Sequence, residues 1–254
     1  MSIYRSALNK LPRPLLIRLS YVFRIFASVI YRGNTVACPV CGNSFSKFLS
    51  YGSDVAFRQN VLCPHCLSLE RHRLLWLYLQ QRTDLFSGKV KLLHIAPEQC
   101  FHGRFKALQN IEYVTGDLES PLAEHHFDLH DVPFDSNSFD AVICNHVMEH
   151  VEDDARCMRE LYRVLRPGGW AVMQVPIDYS RAVTYEDPEI TSPEEREKHF
   201  WQKDHLRLYG RDYPERLAAA GFKVKEDDFV KALGEEKAER HRLQSQEIIY
   251  FLTK

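Results

Sequence analysis

The first acidic residue of this 254-residue chain is Asp54. Residues 1–53 hold Arg5, Lys10, Arg13, Arg18, Arg24, Arg32 and Lys47 and no Asp or Glu, while the whole chain carries a net charge of −1. A basic front therefore precedes an acidic body, a polarity suited to an anionic partner, either nucleic acid or a membrane surface. Long hydrophobic runs are missing as well. The most apolar stretch, LLIRLSYVFRIFASVIY at 15–31, is broken by Arg18 and Arg24, which argues against a membrane-spanning helix. No small-residue cleavage site follows it, so a secretory signal is not expected. A cytoplasmic protein is expected, either free or associated with the cytoplasmic face of a membrane. Internal repeats are absent too, which excludes a solenoid. Glycine is sparse, with none between Gly88 and Gly103.

What is present begins with a helix. Leu15, Leu16, Leu19, Val22, Phe23, Phe26, Val29 and Ile30 share one face of a helical wheel, opposite Ser20, Arg24 and Ser28. Two readings are open: an interfacial helix making a peripheral membrane contact through residues 15–31, or a helix packed on the protein's own body or a dimer partner.

Cys38-Pro-Val-Cys41 and Cys63-Pro-His-Cys66 form two C-x2-C knuckles with 21 residues between them. Paired knuckles turn four thiolates toward one point, as tetrahedral structural zinc requires. With no secretion signal expected, Zn2+ is preferred over disulfides. Cys38, Cys41, Cys63 and Cys66 are the expected ligands, with His65 and His72 as bystanders. Three segments are expected: a basic amphipathic helix at 1–32, a zinc-ribbon module at 33–73 and a larger domain at 74–254.

In the larger domain, Phe139–Cys144 is apolar except for Asp140, the pattern of a parallel strand buried on both faces. A helix follows, with Glu152, Asp153 and Asp154 at its start and Ala155, Met158, Leu161, Tyr162 and Leu165 as its inward stripe. Pro167-Gly168-Gly169 stops it, and Trp170–Val175 is a second strand. Strand, helix and strand make a right-handed parallel unit.

The motifs VPFDSNSFDAVICNHVMEHVED and LYRVLRPGGW resemble the centre of class I S-adenosylmethionine-dependent methyltransferases. The resemblance covers roughly residues 88 to 254. It implies an α/β Rossmann-like sheet of seven strands, mostly parallel with an antiparallel last strand, and S-adenosylmethionine as cofactor. The first strand is expected at Lys89–Ala96. The family's glycine-rich loop would follow it, but HIAPEQC stands there instead. Ala96 replaces the first glycine, and the Glu98 carboxylate is suited to the cofactor's α-ammonium group. Asp117, 21 residues beyond Ala96, falls where the fold places the carboxylate for the ribose hydroxyls, with Leu118 beside it. Asp128 and Leu129 fall where relatives read the adenine. Asn145 and His146 follow the buried strand at the end where open α/β sheets bind ligands.

Residues 176–210 read as a lid insertion. Asp212–Gly221 is expected as a helix capped by Asp212, and two final strands as an antiparallel hairpin. Methyl transfer to an oxygen or nitrogen needs no protein nucleophile, so only a base is sought. His146 is the first choice, then His150 and Asp178, with His199 and His205 available from the lid. The substrate classes left open are RNA and a small or lipid-linked metabolite. CNHV after Val142 lacks the Asn/Asp-Pro-Pro-aromatic grip of exocyclic amine methylation. The alternative to an enzyme is a noncatalytic scaffold or binding protein with a structural zinc site.

Overall fold

The computed structural model describes residues 12–52 and 57–254. The beginning of the expected 1–32 segment, including Arg5 and Lys10, lies outside the described residues. The chain forms two compact units, one of residues 1–77 with 233–245, the other of residues 78–232 with 246–254.

In the first unit, helix α1 (Arg13–Ile30) is followed by two antiparallel hairpins, β1 (Arg32–Ala37) with β2 (Ser44–Phe45) and β3 (Leu49–Tyr51) with β4 (Arg58–Leu62). Helix α1 packs by the face opposite to its apolar stripe. Ala27 is buried, the Arg24 Nε donates to the His65 carbonyl, and Ser28 Oγ lies 3.1 Å from His65 Nδ1. The helix thus packs on the body of its own unit, but not through the apolar stripe: Leu19, Val22, Phe23, Phe26, Val29 and Ile30 are exposed, Val29 to 72%. The cause is chemical, since the surface beneath offers a carbonyl and an imidazole, which only the polar face can bond. Among the described residues, no helix is long and apolar enough to cross a membrane.

Helix α2 (Glu70–Arg82) starts in the first unit and continues into the second. Its Arg73 is fully buried and donates to four backbone carbonyls, those of Val61, Ser68, His241 and Arg242, with its guanidinium over the Phe48 ring. His241 Nδ1 lies 2.9 Å from the Ala37 carbonyl, and Arg240 bonds Asn34. The distant segment 233–245 is tied in by these polar contacts.

The second unit is built on one sheet. Its strands are β5 (Val90–Ile95), β6 (Ile111–Asp117), β7 (His125–His126), β8 (Phe139–Asn145), β9 (Leu165–Gln174), β12 (Lys223–Asp227) and β13 (Ile249–Thr253). They lie in the order β12-β13-β9-β8-β5-β6-β7, and only β13 runs against its neighbours. Every residue of β8 except Asp140 is buried, as a strand covered on both faces must be. The antiparallel pair β12 and β13 is joined by 21 residues rather than a tight hairpin.

Helix α3 (Gln99–Lys106) follows β5, and helix α4 (Asp154–Val164) connects β8 to β9. Asp153 caps α4 by accepting from the Arg156 N–H at 2.9 Å. The inward stripe differs from expectation. Ala155 is exposed, and Asp154 turns inward with Cys157, Met158, Leu161 and Val164. A buried carboxylate needs partners, and Asp154 accepts from the Tyr209 hydroxyl at 2.6 Å and from Arg216 Nη2 at 2.8 Å.

Residues 176–210 are short pieces: β10 (Tyr185–Glu186), α5 (Pro193–Phe200) and β11 (Arg207–Leu208). Helix α6 (Tyr213–Ala219) starts without a side-chain cap. The expected capping role of Asp212 is corrected: its Oδ1 accepts instead from the Thr184 amide and hydroxyl at 2.8 and 2.7 Å, holding down the segment before β10.

Candidate functional site

In the first unit, Cys38, Cys41, Cys63 and Cys66 converge, with their sulfurs within 4.8 Å of one another. The Cys38 and Cys66 sulfurs are 3.5 Å apart and those of Cys41 and Cys63 3.8 Å. Each knuckle closes with the same bond: Gly42 N–H to the Cys38 carbonyl at 2.9 Å, and Leu67 N–H to the Cys63 carbonyl at 3.0 Å. Gly42 and Leu67, each just after a second cysteine, both take left-handed φ, +74° and +60°. Glycine meets that demand without cost, whereas Leu67 holds it under strain. The donor set fits a tetrahedral soft cation. Arg73 adds a second sign of fit. Burial lowers its pKa, and the Cys38 sulfur and the Glu70 carboxylate oppose that; a zinc–tetrathiolate dianion would add to the countercharge that Glu70 supplies.

The second unit's pocket, about 660 Å³, opens at the carboxyl ends of β5 and β6. Ala96, Asp117, Leu118, Asp128, Leu129 and His150 line it together with Gly116 and Phe127. The register explains the convergence. Ile95 pairs with Gly116 across the parallel strands, so Ala96 and Asp117 leave the sheet side by side. Ala96 takes φ +50°, and its amide bonds the Gly116 carbonyl at 2.8 Å. A Cβ at Gly116 would stand 2.4 Å from the Phe127 ring, so only glycine fits at the pocket floor.

Asp117 Oδ1 accepts from the amides of Glu119 and Ser120 at 2.8 and 2.7 Å, which orients the carboxylate. Asp128 Oδ1 lies 2.6 Å from His130 Nδ1. His130 Nε2 accepts from the Asp153 amide, so Nδ1 carries the proton that Asp128 receives. The His130 amide and then its ring hold the Asp128 carboxyl below the usual carboxylate range.

Glu98, Asn145, His146 and Asp178 do not line that pocket. Glu98 closes a buried polar chain. Its Oε2 lies 2.5 Å from His94 Nε2, His94 Nδ1 lies 2.9 Å from the Tyr113 hydroxyl, and Asn145 Nδ2 donates to Glu98 Oε1 at 3.1 Å. Burial pushes the Tyr113 phenol up, with the Glu98 charge adding to it. Tyr113 therefore stays protonated and donates to Nδ1, leaving the Nε2 proton for Glu98.

His146 takes φ +55° after β8, and its amide bonds the Gln174 carbonyl at 2.7 Å. Its Nδ1 stands 3.2 Å from Glu149 Oε1 and its Nε2 is buried without a partner. Asp178 accepts from the Ser180 amide and hydroxyl and pairs with Arg181; the Ser180 bonds hold its carboxyl low, where it is a weak base. His199 lies 3.1 Å from the Tyr185 hydroxyl and 3.4 Å from Glu195.

Sequence reasoning passed over Arg207 and Glu149. Arg207 is buried and donates to the carbonyls of Met148, Val151 and Glu152 and to Glu186, so β11 clasps the turn after β8. The signal was an Arg in an otherwise apolar LRLYG run.

Residues 76–173 match the family described as Methyltransferase domain. That stretch is therefore similar to a methyltransferase domain. The methyltransferase fold extends beyond that stretch. An S-adenosylmethionine dependent methyltransferase from Mesorhizobium loti covers 71% of this chain and 98% of its own, with a TM-score of 0.52 at 15% identity, a likeness of fold alone. By sequence, the ubiquinone/menaquinone biosynthesis C-methyltransferase UbiE of Escherichia coli is 32% identical over 88 residues, 33% of this chain and 31% of UbiE. An uncharacterized 37.1 kDa protein in transposon TN4556 of Streptomyces fradiae is 39% identical over 64 residues, 25% of this chain and 19% of its own. The chain thus spans less than a third of the length of these curated relatives.

Proposed function

We propose that the second unit is an S-adenosylmethionine-dependent methyltransferase acting on an oxygen or nitrogen of its acceptor. The observation that carries this is the junction of Ala96 and Asp117 at adjacent strand ends above Gly116, with Asp128 and Leu129 on the same wall. Asp117 would accept from the ribose hydroxyls, and Asp128 with the Leu129 amide would read the adenine. Exposed Leu118 offers that base an apolar face. Glu98, steadied by His94 and Asn145, is suited to the α-ammonium group. When bound, the cofactor supplies a methyl group on a positively charged sulfur. His146 is proposed as the acceptor's base, with Glu149 orienting Nδ1 and Nε2 left to take the proton. The substrate readings remain RNA and a small or lipid-linked metabolite.

In the first unit, Cys38, Cys41, Cys63 and Cys66 are proposed to hold a structural Zn2+. The exposed stripe of α1, beside a sequence of seven basic residues and no acid up to residue 53, favours a peripheral contact with an anionic membrane.

The deciding experiment is titration with S-adenosylmethionine by calorimetry. Wild-type protein should bind, and Asp117→Ala should lose about 2 kcal/mol, because two hydroxyls lose a charged acceptor. Asp128→Ala should cost less, since its carboxylate is the more exposed. Absence of binding to the wild type would favour the noncatalytic reading.

A further inference from the structure

Glu149, His150 and His205 each offer a ligand atom, and the three atoms lie within 4.8 Å of one another. Glu149 and His205 are each only 1% exposed. Glu149 Oε2 has no hydrogen-bond partner, Oε1 meets the ion-pair contact with His146 Nδ1 at 3.2 Å, and His205 Nε2 is also buried and unpartnered. Such groups carry a full desolvation cost unless something not yet counted satisfies them. A buried carboxylate beside bare imidazole nitrogens is a cation site in chemical terms.

The surroundings prepare the histidines for that role. His205 Nδ1 lies 2.8 Å from the Phe200 carbonyl, which fixes the proton there and leaves Nε2 as a lone pair. His150 Nδ1 lies 3.2 Å from the Asp204 carbonyl and 3.3 Å from Asp204 Oδ2. A carbonyl or carboxylate behind the second ring nitrogen is the usual support of a metal-bound imidazole. The backbone is braced as well: the Leu206 amide bonds the Glu149 carbonyl at 2.8 Å, and Arg207 clasps the carbonyls of Met148, Val151 and Glu152.

We infer that Glu149, His150 and His205 bind a divalent first-row transition-metal ion. Two imidazoles and one carboxylate suit zinc, cobalt, iron or manganese and leave coordination positions open. His150 also lines the pocket, so one ligand of the ion borders it. An oxygen bound there becomes more acidic, which favours a hydroxyl as the group to be methylated and His146 as the acceptor of its proton. That role rests on the methyltransferase proposal, whereas the ion site itself does not.

The test uses Co2+ as probe on the full chain. Bound to thiolates it gives strong near-ultraviolet charge transfer, whereas bound to imidazole and carboxylate it gives only weak visible bands. Wild-type protein already holding zinc at the cysteines should take up one equivalent of Co2+ with the weak spectrum. Glu149→Gln and His205→Gln should each bind it at least roughly tenfold more weakly, since even supporting partners of metal ligands cost ten- to hundredfold. His150→Gln, at a partly exposed position, should do the same and guards against loss of fold in the buried variants. No Co2+ uptake by wild type, or equal affinity in all three variants, overturns the site. S-adenosylmethionine titration of the same samples separates the two readings: ion binding without cofactor binding removes the methyltransferase and leaves the metal site.

Discussion

His94 Nε2 stands 2.5 Å from Glu98 Oε2, four residues along the chain at the turn where β5 gives way to α3. The imidazole is fully buried between Phe101, Phe105 and Tyr113, so it holds the carboxylate in one orientation. In the proposed cofactor site, a side chain would thereby do what a glycine-rich loop does with backbone. Glu98→Ala should weaken S-adenosylmethionine binding by about 2 kcal/mol, and His94→Phe, which keeps the aromatic packing, by about 1 kcal/mol. Calorimetry on folded variants measures both. Unchanged affinity in Glu98→Ala would remove Glu98 from the cofactor site.

Asp154 makes the second unit sensitive to acid. Burial opposes its charge, but the Arg216 and Tyr209 bonds and the Arg207 charge outweigh burial and lower its pKa. A carboxyl depressed on folding contributes stability that is complete above its unfolded pKa, about 3.9, and is lost as pH falls through the folded value. Asp154→Asn should cost roughly 3 kcal/mol at neutral pH, because Arg216 and Arg207 lose a buried partner. Its stability should then vary less with pH below about 4. Denaturant melts across that range decide; equal slopes in both proteins would exclude Asp154 as the acid-sensitive group.

The four-cysteine cluster predicts a metal-dependent first unit. Purified protein should contain zinc bound at the cysteines, and Cys63→Ser should loosen the hairpins and the 233–245 segment together, because Arg73 links that segment to β4, the strand that ends just before Cys63. Hydrogen exchange would show lost protection there with the sheet of the second unit retained. Protection in the first unit that survives complete zinc removal would contradict this.

For α1, the expectation concerns vesicles. The protein should sediment with vesicles rich in phosphatidylserine at low salt and be released as salt rises. Phe26→Asp should abolish sedimentation without changing the melting temperature, since Phe26 is 64% exposed. Failure of the wild type to sediment even at low salt would rule out this surface as a membrane contact.

Much of the molecule was legible in order along the chain. Strand β8 announced itself by the apolar run Ala141–Cys144, the cysteine knuckles by spacing, and α4 by its acidic start, although α4 ends at Val164 and Pro167-Gly168-Gly169, expected to stop it, lies within β9. Each signal is local, set by backbone geometry within a few residues. The separation of Ala96 from Asp117 is also readable, because one strand, one helix and one strand of ordinary length bring such positions together. Tertiary structure alone decided which face of α1 lies down, because both faces look usable until the His65 carbonyl and ring are placed beneath Arg24 and Ser28. It also decided that Asp154, not Ala155, turns inward, since its arginine partner Arg216 lies 62 residues away. The meeting of Glu149 and His150 with His205 depends on how Arg207 folds the irregular segment back over the strand end. No periodicity marks such a contact, because it is set by buried groups finding hydrogen-bond partners far along the chain.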